Sequence, residues 1–179
     1  KPAGRGYRAG DMDILRLMGA DITLSNEQVT GGEPVADIRV RYAPLHGIQI
    51  PEDQVPLAID EFPAIFIAAA CAQGETVLTG AEELRVKESD RIQVMADGLQ
   101  TLGIDARPTA DGMIIQGGVI GSGEINSHGD HRIAMSFAMA ALQAGGTIQI
   151  HDCANVATSF PGFVELAQVA GLQIETVDD

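Results

Sequence analysis

The stretch DEFPAIFIAAACAQGETVLTG, residues 60–80, contains an acidic start, a run of small apolar residues, a glycine and a segment typical of a strand. Seventy residues later, DHRIAMSFAMAALQAGGTIQIHD, residues 130–152, has the same order of features. A helix that is apolar nearly all round is buried, because a surface helix keeps one polar face. We therefore predict two buried helices, around 62–72 and 132–143, each followed by a glycine turn and a strand.

Glycine also ends a second helix at three places in the chain. The predicted helices stop before Gly19, Gly103 and Gly171, where a left-handed C-cap is expected, and a strand should follow each glycine. Together with the two buried helices, these segments indicate a unit of about 70 to 80 residues that repeats along the chain.

The repeat divides the chain into one partial and two fuller copies. The partial repeat, residues 11–55, is expected to hold a helix at about 11–18 and strands near 20–24, 36–42 and 47–50. The fuller repeats cover about 56–128 and 129–179. Residues 1–10 contain no acidic residue and three glycines, and we interpret them as a disordered tail or a cut edge before the lobe of residues 11–179.

Composition excludes several classes of function. Acidic residues outnumber basic ones by 25 to 11, with a net charge of −14, which argues against a nucleic-acid-binding surface. No apolar run reaches membrane-spanning length, and we expect a cytoplasmic protein with no membrane partner. Cys71 and Cys153 lie far apart and outside any cluster of metal ligands, so we expect no metal site and two reduced, buried thiols.

Basic residues nevertheless concentrate in ELRVKESDRI, residues 83–92. If Lys87 and Arg91 share the helix that ends at Leu102, they are i,i+4 neighbours on one face, close to the positive end of the helix. Such a site would bind a phosphate or a carboxylate, and Glu88 beside it could transfer a proton. The alternative is a solvated helix start, at which the dipole favours Glu88 and Asp90.

Polar residues also precede the two buried helices. Asp130, His131 and Arg132 stand at the start of the second one, where Asp130 suits an N-cap and the other two would lie at an exposed end suited to ligand contacts. A cap followed by two surface residues is the alternative interpretation. Asp60 has the equivalent position before the first buried helix, and it too suits a cap because Pro63 fits a first helical turn.

Four motifs occur in order along the chain: IDEFPA at 59–64, LRVKESDRI at 84–92, GDHRIAM at 129–135 and TSFPGF at 158–163. They are similar to those of the 5-enolpyruvylshikimate-3-phosphate (EPSP) synthase family, and the resemblance runs from about Asp13 to the C-terminus. It implies an α/β (α+β) fold of repeated βαβαββ units, with parallel buried helices and outer sheets, in an inside-out α/β barrel lobe. The family has two such lobes, and this chain resembles only the C-terminal one, so the N-terminal lobe is missing.

The resemblance also implies a reaction. EPSP synthases are transferases of the shikimate pathway of aromatic amino acid biosynthesis. They join the enolpyruvyl group of phosphoenolpyruvate to the 5-hydroxyl of shikimate 3-phosphate and release phosphate, with no metal or organic cofactor. Two multiply charged anions must be held together, so convergent cations are required even on an acidic protein.

The family motifs imply roles for individual residues. Asp60 holds the sugar hydroxyls and accepts the 5-hydroxyl proton, Lys87 binds the substrate anions, and Glu88 is the acid and base at the phosphoenolpyruvate methylene. Arg91 and Arg132 clamp phosphoenolpyruvate with their forked guanidinium groups, and His131 is a neighbouring substrate-binding residue. At Thr158, where many members have a lysine, this chain departs from the pattern.

Two alternatives to an EPSP synthase stay open. One is another enolpyruvyl transferase of the same fold, such as a UDP-N-acetylglucosamine enolpyruvyl transferase. The other is a non-catalytic ligand-binding lobe in which the charges serve as caps and anchors. If the chain is the C-terminal lobe of an EPSP synthase, we expect it to be inactive alone and to self-associate through an exposed apolar edge near residues 11–50.

Overall fold

The structure is a computed structural model that describes residues 10–177 of the chain. The sequence-based interpretation of residues 1–9 lies outside the described residues. The helices are α1 (Gly10–Leu17), α2 (Phe62–Ala70), α3 (Arg91–Thr101), α4 (His131–Ala140), α5 (Asn155–Ser159) and α6 (Phe163–Val169). The strands are β1 (Asp21–Thr30), β2 (Glu33–Arg41), β3 (Glu75–Leu78), β4 (Asp105–Pro108), β5 (Met113–Gln116), β6 (Gly123–Asn126) and β7 (Ile148–His151). Two 3₁₀ helices cover Glu52–Leu57 and Glu82–Val86.

The predicted α/β class is confirmed, and the helices α2, α3 and α4 lie inside, whereas α5 and α6 are largely exposed. In the central part of the chain α2 and α3 pack beneath a sheet of order β3-β5-β4, in which β5 runs antiparallel to both neighbours. Residues His46 and Gln49 add parallel bridges beside β3, so the strand expected at 47–50 is reduced to isolated bridges. Further along, β6 and β7 pair in parallel, with β6 packed on α3 and β7 on α4. The limits drawn between repeats remain predictions.

The two small-residue helices are buried, as their composition predicts. Most side chains of α2 and α4 are inaccessible to solvent, and the two helices pack against each other. Both end slightly earlier than expected, at Ala70 and Ala140. The burial of these apolar side chains is the main source of stability in a core that has no tryptophan.

Glycine has the predicted role after three helices. Gly19, Gly103 and Gly171 have φ angles of 101°, 86° and 99°, the left-handed conformation of a C-cap. Strands follow the first two, whereas residues 172–177 after Gly171 form no strand, so that part of the prediction is wrong. Gly98 has a different role: a Cβ there would lie 2.3 Å from the Phe137 ring. Its missing side chain allows α3 and α4 to approach closely.

The hairpin β1–β2 is the most exposed part of the fold. Ile22 lies opposite Val40 and Leu24 opposite Ile38, so these four residues form one apolar face of the ribbon, which we call the hairpin apolar face. Ile38 and Val40 are 58% and 67% exposed, and Tyr42 just beyond the hairpin is 94% exposed. Both strands are longer than the sequence predicted. The expected exposed apolar edge is therefore present between residues 22 and 42.

Cysteine burial is a prediction that the structure contradicts. Cys71 and Cys153 are both exposed. Cys71 follows the last residue of α2, where the chain leaves the core, and Cys153 lies in the turn after β7. Apolar neighbours in sequence are a poor guide to burial at such ends, because an element can be buried while the residue after it is not.

No helix among residues 10–177 is long and apolar enough to cross a membrane.

Candidate active site

The charged residues selected from the sequence meet where α2, α3 and α4 begin. We call Asp60, Lys87, Glu88, Arg91 and Arg132 the charged cluster. Asp60 lies two residues before α2, Arg91 is the first residue of α3, and Arg132 lies in the first turn of α4. Lys87 and Glu88 belong to the segment between the second 3₁₀ helix and α3. The fold therefore brings together residues that are up to 72 positions apart in the chain.

Arg91 is the centre of the charged cluster, and each of its three nitrogens meets a different carboxylate. Nε donates to Oδ2 of Asp130 at 2.8 Å, Nη1 to Oδ1 of Asp60 at 3.3 Å, and Nη2 to Oε2 of Glu88 at 2.6 Å. The side chain is only 1% exposed. A buried guanidinium with paired nitrogens holds a fixed orientation, because each planar N–H group has a directed partner.

Asp130 connects Arg91 with the start of α4. Its Oδ1 accepts hydrogen bonds from the backbone N–H groups of Arg132 at 2.9 Å and Ile133 at 3.4 Å, which confirms the predicted N-cap. Its Oδ2 accepts from Arg91 and from the Ser89 hydroxyl at 3.2 Å. Burial acts to raise the pKa of Asp130. The Arg91 guanidinium and the two backbone donors together outweigh this effect, so the pKa lies below its ordinary value.

Asp60 does not cap α2, contrary to the sequence-based interpretation. The residue before α2 is Glu61, which makes no side-chain cap, and the Asp60 carboxylate is directed toward cations instead. Its Oδ1 lies 3.4 Å from Nζ of Lys87 and 3.3 Å from Arg91. Burial acts to raise the pKa of Asp60, but Lys87, Arg132 and Arg91 together hold it below the ordinary value. Asp60 is therefore ionised at neutral pH.

Lys87 lies outside the helix, so the predicted i,i+4 pair with Arg91 is wrong. The backbone of Lys87 is extended, and α3 begins only at Arg91 because the Asp90 carboxylate caps it by accepting from Gln93 N at 3.0 Å. Asp90 thus fills the helix start that we expected to bind an anion. The Lys87 ammonium contacts Glu83 at 2.5 Å and Asp60. The hydrogen bond to Glu83 is the main reason that the pKa of Lys87 is raised.

Arg132 stands at the mouth of a groove between α2 and α4. Its Nη1 donates to the backbone oxygen of Asp60 at 3.0 Å and lies 3.7 Å from Glu61 Oε1. The groove has a volume of about 230 Å³, and its walls are mainly apolar side chains of α2 and α4: Pro63, Ala64, Ile67, Met135 and Met139. The Arg132 side chain remains partly exposed.

His131 is less integrated than the charged cluster. It is the first residue of α4 and only half-buried, and its side chain forms no hydrogen bond with another residue of the described range 10–177. Sequence reasoning missed the second role of Asp130, as the buried partner of Arg91, and the contacts of Ser89 and Arg85. The sequence did indicate that Asp130 starts a buried helix and that Arg91 lies near the start of another helix. It could not show that these two side chains contact each other, because their contact depends on how the helices pack.

The arrangement can bind anions and move a proton. Lys87 and Arg91 contact the Asp60 carboxylate, Arg91 also pairs with Glu88 and Asp130, and Arg132 contacts the Asp60 backbone oxygen. Two of the carboxylates, Asp60 and Glu88, are partly exposed. Among the described residues, no group of three or more His, Cys, Asp and Glu side chains has the geometry to hold a metal ion.

Comparison with known proteins identifies relatives of the chain. A family model described as EPSP synthase (3-phosphoshikimate 1-carboxyvinyltransferase) matches residues 5–166. The 3-phosphoshikimate 1-carboxyvinyltransferases of Methylococcus capsulatus and Nitrosococcus oceani are 71% and 74% identical, over 94% and 93% of this chain and 38% of each relative. An EPSP synthase structure from Acinetobacter baumannii superimposes with a TM-score of 0.93 at 62% identity, covering 96% of this chain and 40% of that one. The chain thus spans about two-fifths of the length of these relatives.

Proposed function

Because this chain belongs to the EPSP synthase family, we propose that it forms one wall of an active site that transfers the enolpyruvyl group of phosphoenolpyruvate to the 5-hydroxyl of shikimate 3-phosphate. Phosphate is the second product. The other wall comes from the part of the family protein that this chain does not span, since the chain covers only 38% of its relatives. A role in aromatic amino acid biosynthesis and a cytoplasmic location belong to the same proposal.

The observation that carries the proposal is the convergence of the charged cluster. In a protein with net charge −14, three cationic side chains contact the single residue Asp60: Lys87, Arg91 and Arg132. Fold stability alone does not require this arrangement, because buried ion pairs contribute little compared with apolar side chains of the same size. Binding of two anionic substrates does require it, because their charges must be compensated as they leave water.

Arg132 is the more accessible of the two proposed phosphoenolpyruvate clamps. Its partly exposed guanidinium can offer two parallel N–H groups to a carboxylate or phosphate. Arg91 is different, because Asp60, Asp130 and Glu88 already occupy its nitrogens. A substrate anion reaches Arg91 by replacing Glu88, whose side chain is the most exposed of the three partners. Binding at Arg91 would thereby release the Glu88 carboxyl toward the substrate.

Glu88 is then the proposed acid and base at the methylene carbon of phosphoenolpyruvate. Addition of the shikimate hydroxyl requires a proton on this carbon, and elimination of phosphate from the tetrahedral intermediate removes one again. A carboxyl group held next to the phosphoenolpyruvate clamp can perform both steps. Lys87, with its raised pKa, keeps a positive charge throughout and balances the substrate anions.

Asp60 is the proposed acceptor of the 5-hydroxyl proton. The surrounding cations hold its pKa low, so it accepts a hydrogen bond from the hydroxyl but is initially a weak base. When substrate anions neutralise Lys87 and Arg132, the stabilisation of the Asp60 carboxylate decreases and its basicity rises. Substrate binding would in this way prepare the base for the reaction.

The test uses a full-length chimera in which this chain replaces the matching segment of the Nitrosococcus oceani relative. We expect phosphate release that requires both phosphoenolpyruvate and shikimate 3-phosphate. The Glu88→Gln variant should lower kcat by about 100-fold or more, the usual size of an acid–base contribution, while it still binds shikimate 3-phosphate. Glu82→Gln, an exposed change six residues earlier, is the matched control.

Other outcomes would support the alternatives. Phosphate release with UDP-N-acetylglucosamine but not with shikimate 3-phosphate would indicate a different enolpyruvyl transferase. Substrate binding without phosphate release in the unmodified chimera, and no effect of Glu88→Gln on that binding, would indicate a ligand-binding lobe without catalysis.

A further inference from the structure

We infer that Arg85 is a positioning residue that holds the segment bearing Lys87 and Glu88 in place. This inference rests on the proposed function and extends it to a side chain outside the charged cluster. Arg85 is the last basic residue before Lys87, and its guanidinium contacts neither Asp60, Glu88 nor Arg91. It acts on the site through the backbone.

The three nitrogens of Arg85 connect two parts of the fold. Nε donates to the backbone oxygen of Ala110 at 2.9 Å, and Nη2 donates to the backbone oxygen of Thr109. Nη1 donates to Oδ2 of Asp90 at 2.6 Å. One guanidinium therefore joins the turn between β4 and β5 to the residue that caps α3. A lysine could not replace it, because one ammonium group cannot reach three acceptors in a planar array.

The turn at residues 109–112 provides a rigid anchor for Arg85. Thr109 N donates to the backbone oxygen of Gly112 at 2.9 Å, and the Thr109 hydroxyl lies 3.2 Å from Asp111 Oδ1. Asp111 also binds the chain before the second 3₁₀ helix, where it accepts from Gly80 N at 2.9 Å and Ala81 N at 2.7 Å. Gly112 is packed so closely that a Cβ would lie 2.0 Å from the Leu78 oxygen.

The segment between Arg85 and α3 has little backbone support of its own until Asp90, whose backbone oxygen accepts from Val94 N at 2.9 Å. Among the described residues, the backbone N–H groups of residues 87–90 donate to no backbone carbonyl. Arg85 holds the start of this segment, and Asp90, bound to Arg85, holds its end at the cap of α3. Lys87 and Glu88 lie between these two points. The Ser89 hydroxyl adds one contact to Asp130 within the segment. The backbone positions of Lys87 and Glu88 relative to Asp60 and Arg91 therefore depend largely on Arg85.

Loss of Arg85 should displace Lys87 and Glu88 without unfolding the protein. Arg85 is partly exposed, so its removal creates no large cavity. A displacement of about 1 Å of a reacting group can reduce turnover by roughly 100-fold. Arg132 and the groove beside it do not contact Arg85, so binding of phosphoenolpyruvate should change much less than kcat does.

The first test uses the full-length chimera described above. We expect Arg85→Ala to lower kcat by about 100-fold, with a smaller rise in the apparent KM for phosphoenolpyruvate, and Arg85→Lys to recover only part of the loss. The control is Arg107→Ala, which removes an exposed arginine of β4 that pairs with Glu75 and Asp105. It should change kcat by less than about 2-fold, as is usual for a surface ion pair.

The second test is independent of catalysis and uses the 179-residue chain itself. Cleavage after Glu88 by a glutamate-specific protease should be several-fold faster in Arg85→Ala than in the unmodified chain or in Arg107→Ala, at unchanged Tm. If Arg85→Ala does not fold, Arg85→Lys decides both tests. We expect the protease to cleave this variant faster than the wild type, and the chimera that carries it to have a lower kcat.

The outcomes separate the inference from the proposed function. An inactive unmodified chimera would refute the proposed function, and the protease experiment would then decide whether Arg85 holds the segment. An active chimera whose kcat is unaffected by Arg85→Ala, or cleavage after Glu88 that is unchanged by it, would overturn the inference.

Discussion

Asp130 and Arg91 form a buried ion pair that joins the starts of two helices. Nε of Arg91 lies 2.8 Å from Oδ2 of Asp130, and the two side chains are 1% and 0% exposed. Arg91 begins α3 and Asp130 caps α4, so the pair sets the distance between the helix starts that carry the proposed phosphoenolpyruvate clamps. Close packing of α3 on α4 at Gly98 supports the same arrangement.

The first prediction is that Asp130→Asn destabilises the chain by about 3 kcal/mol, because it replaces the most deeply buried of the three carboxylate partners of Arg91 with a neutral amide. Urea unfolding followed by circular dichroism gives the free energy of unfolding. Asp105→Asn is the matched control, since it breaks an exposed contact with Arg107. The control should change stability by less than about 1 kcal/mol. Equal effects of the two substitutions would contradict the energetic importance of the buried pair.

The second prediction concerns pH. The folded-state pKa values of Asp130 and Asp60 lie below their ordinary values, so their ionisation stabilises the fold above the unfolded pKa of about 3.9. This stabilisation is lost as pH falls through the lower folded-state pKa values. The stability difference between the wild type and Asp130→Asn should therefore be largest above about pH 5 and shrink below about pH 4. A stability difference that grows on acidification would contradict the lowered pKa of Asp130 in the folded state.

The third prediction is that Arg132→Lys in the chimera raises the apparent KM for phosphoenolpyruvate. Lysine keeps the charge but loses the fork that can grip a carboxylate or phosphate. Loss of one charge-assisted contact costs about 1.5–3 kcal/mol, which corresponds to roughly 10- to 150-fold in binding. Arg107→Lys provides the comparison at an exposed site. An unchanged affinity for phosphoenolpyruvate in Arg132→Lys would refute the proposed clamp.

The fourth prediction is that the 179-residue chain alone releases no detectable phosphate from the two substrates. It contributes only the cations of one wall, and positioning of both reactants accounts for roughly 7–11 kcal/mol of a barrier in favourable cases. An incomplete site also leaves its ions in water, where each contact is weak. A continuous phosphate assay at high protein concentration checks this. Turnover by a monomeric chain would show that the second wall is unnecessary.

The fifth prediction is that the isolated chain self-associates through the hairpin apolar face. Ile38 and Val40 expose large apolar side chains side by side on one face of the hairpin, a feature that favours association with another chain. Sedimentation velocity should show concentration-dependent association, and the double variant Ile38→Lys/Val40→Lys should reduce it. Val119→Lys, at another exposed apolar residue, should have no effect. Association that persists in the double variant would place the contact elsewhere.

The sequence by itself determined the fold class, the two buried helices and the identity of most cluster residues. Small apolar runs leave a helix no polar face, and a glycine after the last turn ends it, so both signals are local. The family motifs pointed to Asp60, Glu88 and Arg91, which the folded chain brings into contact. Their roles in the reaction remain predictions.

Tertiary structure decided how these residues are connected. Only the folded chain shows that Asp60 faces Lys87 and Arg91 instead of capping α2, and that Lys87 lies outside α3. It also decides the exposure of Cys71 and of the hairpin apolar face. The physical reason is range: capping and periodicity act over a few residues, whereas the pairing of Arg91 with Asp130 spans 39 positions and depends on how α3 and α4 pack.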